Sequence, residues 1–149
     1  MPPLFERILC PIDFDQNSMA ALGIAAQMAE ESKGMLYILH VVLAPFHASE
    51  VPAQPKVEEW ERDAQARLED AARRNLEGKV KYSLILKTGN PTAAIIEAEQ
   101  ELRPDAVVMA THGRTGLGHL LIGSVTEHVV RESICPVVTI RPHAAKQGS

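Results

Sequence analysis

Between positions 110 and 127 the chain reads Ala-Thr-His-Gly-Arg-Thr-Gly-Leu-Gly-His-Leu-Leu-Ile-Gly-Ser-Val-Thr-Glu, with glycines at 113, 116, 118 and 123. Ser124 and Glu127 have the spacing of a capping box, which predicts a helix starting at the Gly123-Ser124 step. The first N–H groups of that helix have no intrahelical partner and point toward whatever the glycine loop encloses. An anion is favoured there. Several N–H bonds to a charged oxygen at ~1.5–3 kcal/mol apiece, with ~0.3–1 kcal/mol from the helix dipole, are enough to hold a di- or triphosphate. A second polar position, Asp13, closes the apolar run at the start of the chain. It is placed either to cap the following helix or to meet a ligand, and one carboxylate can do both.

Two known phosphate motifs fail on inspection. Gly118 and Gly123-Ser124 have P-loop glycine spacing without its lysine, and Gly116-Leu117-Gly118 is followed by Leu121 where a dinucleotide fingerprint needs glycine. No residue set pairs a nucleophile with an oriented base, so binding is expected rather than turnover. His112, Arg114 and His119 face either phosphate or solvent, and the two histidines lack the tight spacing of a zinc site.

The elements that must position these groups alternate in type. Apolar runs at 7–12, 35–42, 105–110 and 137–141 suit strands covered on both faces. The run 80–87 alternates, with Lys81 and Lys87 on its wetter face, as an edge strand should. Helices are expected at 18–32, 56–76, 91–102 and 124–133; the third has Asn90 as cap and Pro91 in its first turn. Trp60 falls on the apolar stripe of the second helix and is expected in the core. Prolines 45, 52 and 55 forbid regular structure before that helix, leaving a long connection able to cover a site. This alternation predicts an α/β fold, an open five-stranded parallel sheet, doubly wound, with helices on both faces. Its ligand crevice lies outside the C-terminal strand ends, so the turns after the first and fourth strands are the places to search.

A length of 149 residues fits one domain over 1–149, with 142–149 a mobile polar tail. A net charge of −4 argues against nucleic acid as a partner. Cys10 and Cys135 are too few for a disulfide framework and read as buried free thiols. The chain shows neither a signal peptide nor an apolar run of membrane-spanning length, which places it in the cytoplasm, away from membranes.

The sequence resembles the universal stress protein family in its nucleotide-binding (ATP-binding) branch. The resemblance rests on Ile8-Leu9-Cys10-Pro11-Ile12-Asp13-Phe14, His40-Val41-Val42, Thr111-His112-Gly113-Arg114, Gly123-Ser124-Val125 and Cys135-Pro136-Val137-Val138. The family motif is Gly, two residues, Gly, nine residues, then Gly with Ser or Thr. Here Gly113, Gly123 and Ser124 match it and Ala110 replaces the first glycine. The resemblance implies strand order 3-2-1-4-5. It also implies phosphate contacts from Gly113, Gly123, Ser124, Val125 and Thr126, and Asp13 near the ribose or a phosphate-bound Mg. Pro11, Val41 and Met109 would lie near the adenine, with Val41 rather than Val42 chosen. Ala110 is expected in extended geometry, where its methyl group is the sole change. The implied protein is a small stress-response module that binds ATP or another adenine nucleotide with Mg and acts on a partner protein as yet unknown. The alternatives are a slow ATPase or adenylate-forming enzyme on the same fold, and a relative that has lost nucleotide binding. With that strand order Val137, Val138, Thr139 and Ile140 form an uncharged edge, and antiparallel pairing with a second copy would close it as a homodimer.

Overall fold

The computed structural model describes residues 4–43, 54–76, 78–112 and 123–141. Its elements are β1 (Arg7–Pro11), α1 (Gln16–Ser32), β2 (Met35–Val42), α2 (Gln54–Leu76), β3 (Lys81–Thr88), α3 (Pro91–Leu102), β4 (Ala106–Ala110), α4 (Ser124–Glu132) and β5 (Val137–Ile140). The five strands form one parallel sheet in the order β3-β2-β1-β4-β5. The long connection before α2, the glycine loop with Gly113, and the tail from 142 lie outside the described residues.

Side chains of successive strand residues alternate between two cores, as a period of two requires. Ile8, Cys10, Leu36, Ile38 and Val108 pack with Leu22 and Ala25 of α1 and with Leu68 and Leu76 of α2. Leu9, Leu39, Val107 and Met109 face the other way, against Ile95 and Ala98 of α3 and Val129 of α4. Both faces of the central strands are therefore dry, which is why they read as unbroken apolar runs. Trp60 departs from expectation. It is half-buried at the margin of α2, with the Lys56 ammonium 5.7 Å from its ring centre. Leu68 and Leu76 fill the stripe instead.

Each end of the site-bearing loops is fixed by a local device. The Asp15 side chain, not Asp13, caps α1 by accepting from the Asn17 N–H at 2.6 Å. Asn90 caps α3 by accepting from the Ala93 N–H at 3.0 Å, with Pro91 in the first turn. On the β3 edge Lys87 reaches Glu97 at 2.6 Å and Glu101 at 3.2 Å on α3, and its bond to Glu97 raises its pKa.

The opening of the sheet also follows from sequence. The Ile12 N–H donates to the Leu39 carbonyl of β2 at 2.8 Å, while the Arg7 carbonyl accepts from the Asp105 N–H at 2.7 Å. By alternation, Arg7, Leu9 and Pro11 address β4. Proline has no N–H, so the ladder to β4 loses its donor at Pro11. Register between β1 and β4 accordingly covers Ile8 with Ala106 and Leu9 with Val107, whereas β1 follows β2 through to Pro11 with Leu39. Beyond Leu9 the two central strands part.

Candidate functional site

A cavity of about 420 Å³ occupies the space where they part. Its floor comes from the C-terminal ends of the central strands: Pro11, Ile12 and Asp13 after β1, Leu39, His40 and Val41 on β2, Met109 and Ala110 on β4. Gly123, Ser124, Val125 and Thr126 form one wall, Pro91 and Ile95 of α3 another, and Ser18, Leu43 and His112 complete the lining. The size lies within the range of small-molecule pockets, and the lining is mostly apolar with a few polar groups, Asp13, Ser18, His40, His112, Ser124 and Thr126.

Nine of the ten residues singled out in the sequence therefore meet in one cavity: Pro11, Asp13, Val41, Met109, Ala110, Gly123, Ser124, Val125 and Thr126. Gly113 lies outside the described residues. Val41 lines the cavity; Val42 is buried and its carbonyl accepts from the Gly89 N–H at 2.9 Å. Ala110 is the last residue of β4, in register with Ile140 and without positive φ, so its side chain brings no backbone strain.

The capping box does not form. The N-cap of α4 is Gly123, at φ −74° and ψ 161°, and among the described residues no side chain caps the first turn. Ser124 is already helical, and the Glu127 carboxylate turns to Arg131. The reason lies in loop closure: the Gly123 N–H donates to the Thr111 carbonyl, and Gly123 accepts in turn from the Glu127 N–H at 2.9 Å, which fixes Gly123 at the entry. The consequence favours a ligand, because the N–H groups of Ser124, Val125 and Thr126 have no intrahelical acceptor and, among the described residues, no side-chain cap. Thr126 differs in detail from a plain phosphate contact. It is buried, and its hydroxyl donates to the Ala110 carbonyl at 2.8 Å, tying α4 to the end of β4.

Asp13 is half-buried. Its Oδ1 accepts from the Asp15 N–H at 3.0 Å, and its own N–H donates to Ser18 Oγ at 3.1 Å. Phe14 follows with φ 65°, a left-handed backbone that costs an L-residue ~1–2 kcal/mol. His40 is buried, with Nδ1 2.8 Å from the Ile12 carbonyl. A carbonyl only accepts, so Nδ1 carries the proton.

The sequence left His40, Ser18, Pro91 and Ile95 without a site role. His40 and Ser18 lie one and five positions from expected site residues; Pro91 and Ile95 arrive by packing of α3 over β2, which no local pattern reports. Among the described residues no group of three or more His, Cys, Asp or Glu could hold a metal ion by itself. Cys10 lies beneath Pro11, and burial pushes its thiol up to about 12, which removes it as a nucleophile at neutral pH. Cys135 is half-buried rather than buried, and desolvation raises it to about 11.

Ligands of doubly wound sheets bind outside the carboxyl ends of the strands where strand order reverses, and β1 and β4 flank that point here. Fold and cavity together thus define an α/β domain with an open cavity at the strand-order reversal. The sequence profile of the Universal stress protein family matches residues 4–141, and the chain belongs to that family. The universal stress protein MJ0531 of Methanocaldococcus jannaschii is 30% identical over 146 residues, spanning 93% of this chain and 83% of its own. The universal stress protein UspA from Lactobacillus plantarum superposes with a TM-score of 0.79 at 26% identity, covering 92% of this chain and 98% of that one. A universal stress protein family member from Arabidopsis thaliana, solved with AMP bound, has a TM-score of 0.63 at 21% identity and covers 94% of each chain. Among the described residues no helix is long and apolar enough to cross a membrane.

Proposed function

We propose that the chain is an adenine-nucleotide-binding module of the stress response, taking ATP with Mg in the cavity between β1 and β4. The observation that carries the reading is the uncapped first turn of α4 facing an apolar cleft of nucleotide-binding size. The base belongs against Pro11, Val41 and Met109, where the lining is apolar. The phosphates belong at Gly123, Ser124, Val125 and Thr126, where N–H groups and the helix dipole favour negative charge. Gly113 contributes from the other end of the glycine loop. Asp13 puts a carboxylate in the same cavity, and a carboxylate beside a phosphate calls for a cation, so Mg held by phosphate oxygens and Asp13 relieves the repulsion. Ala110 leaves room for this arrangement because its backbone is extended. A relative of the same fold holds AMP, which supports the ligand class at the level of fold.

The protein works in the cytoplasm as a homodimer joined through Val137, Val138, Thr139 and Ile140, without nucleic acid or membrane. Thr139 is exposed on that edge, and Val130 at 47% and Ile134 at 59% exposure add apolar surface in α4 and in the turn into β5. Nucleotide acts by binding, and its state is read by a partner protein. Acid denaturation of the purified protein, with chromatography of what is released, tests the reading. Released adenine nucleotide near one per chain supports it. A chain that carries none and takes up none from millimolar ATP with Mg refutes it, and steady phosphate production would move it to a slow ATPase.

A further inference from the structure

The turn that carries Asp13 is held by a column of three side chains from three elements. Phe14 is half-buried, and its ring meets both the His40 imidazole of β2, with centroids 4.4 Å apart at 44°, and the Arg67 guanidinium of α2, 4.3 Å from the ring centre. His40 in turn is anchored to the end of β1 through Nδ1 and the Ile12 carbonyl. One member touches the site directly: His40 lines the cavity, whereas Phe14 is the chain neighbour of Asp13, which also lines it. Arg67 lies outside the lining, on an exposed position of α2. The left-handed backbone at Phe14 is a conformation an aromatic residue keeps only where its surroundings over-determine it. The cation and the imidazole that contact the ring supply that determination.

We infer that Arg67, Phe14 and His40 form a positioning column that sets the Asp13 turn and the His40 ring for the ligand, so that α2 governs nucleotide affinity from outside the pocket. The inference rests on the nucleotide reading above and adds to it three residues with a shared task. Removing either outer support lets Phe14 leave the left-handed conformation, and Asp13 turns with it. Because Arg67 is exposed, its truncation leaves the ligand-free fold close to wild type in melting temperature, whereas affinity falls.

Calorimetric titration with ATP and Mg on nucleotide-free protein tests this with Arg67→Ala, Phe14→Gly, the double variant and Phe14→Tyr. Each of the first two should weaken binding about tenfold, and the double variant should be no weaker than the worse single one, since both dismantle one column. Phe14→Tyr keeps the aromatic faces and should keep wild-type affinity. Phe14→Gly also guards against misfolding, because glycine adopts the left-handed backbone freely. Wild-type binding with Arg67→Ala and Phe14→Gly both within twofold of it overturns the inference and leaves the nucleotide reading standing. A wild-type chain that binds no nucleotide overturns both together.

Discussion

Gly123→Asp should move stability and binding in opposite directions. Gly123 is the N-cap of α4, and its extended backbone requires no glycine. Asp is among the preferred N-cap residues, and its carboxylate would accept from the Val125 or Thr126 N–H. A favourable dipole interaction of ~0.3–1 kcal/mol therefore stabilises the ligand-free variant, a rise in Tm of roughly 1–4 °C for a chain of this size. The same carboxylate occupies a donor that a phosphate needs, at ~1.5–3 kcal/mol. It also sets a negative charge near the phosphate; at ~5 Å and an effective dielectric of about 20 the repulsion is ~3 kcal/mol. Together these weaken ATP binding at least about a thousandfold. Scanning calorimetry without ligand and titration calorimetry with ATP and Mg measure the two effects. Wild-type affinity in the variant would show that phosphates do not sit at the first turn of α4, and a drop of several degrees in ligand-free Tm would refute the capping analysis.

Three further outcomes are expected. Glu99 is fully buried, and its Oε1 accepts from the Ser133 hydroxyl, the Ile134 N–H at 3.2 Å and the Cys135 thiol at 3.3 Å. Glu99→Ala strands those donors and should cost ~2–4 kcal/mol in urea unfolding, while Glu99→Gln, which keeps the acceptor, should cost much less; equal losses would show that the bonds at Oε1 are not what matters. Cys10 holds its proton to about 12 in the fold against 9.0 for an ordinary thiol, so the native state binds the extra proton and stability should fall by ~1.4 kcal/mol per pH unit as pH rises between those values. In Cys10→Ala that part of the slope should vanish, and an unchanged slope would assign it to other groups. Val138→Lys puts a charge on the β5 edge and should shift sedimentation from dimer to monomer; a wild-type monomer at micromolar concentration would exclude pairing through β5.

Most of the architecture is readable in the chain because local and tertiary demands agree. β2 is an apolar run, broken only by His40, that ends at Val42, and α3 is bracketed by Asn90-Pro91 and Pro104, so both have the expected bounds. Strand order matches what family resemblance implies, and a cavity opens beside the ends of β1 and β4, where the doubly wound alternation directs the search. What the chain hides are choices between chemically equivalent neighbours. Asp13 and Asp15 can each cap a helix, and Asp15 does so because Asp13 Oδ1 is engaged by the Asp15 N–H. Ser124 is the better capping residue by type, yet Gly123 takes the position because its N–H is bonded to Thr111 across the loop ends. Trp60 fits a helical stripe, but that stripe reaches the core only further along α2, at Leu68, Ala72 and Leu76. The roles of His40, Pro91 and Ile95 depend on which elements pack across the cavity, and sequence spacing contains no term for that.

Amide chemical shifts of nitrogen-15-labelled, nucleotide-free protein titrated with ATP and Mg test the nucleotide site most directly. Saturable shifts should concentrate at Gly123, Ser124, Val125 and Thr126 for the phosphates and at Val41, Met109 and Ala110 for the base, with Asp13 moving when Mg is added. No shifts at millimolar nucleotide, or shifts confined to residues away from the cavity between β1 and β4, would contradict the assignment of that cavity to an adenine nucleotide.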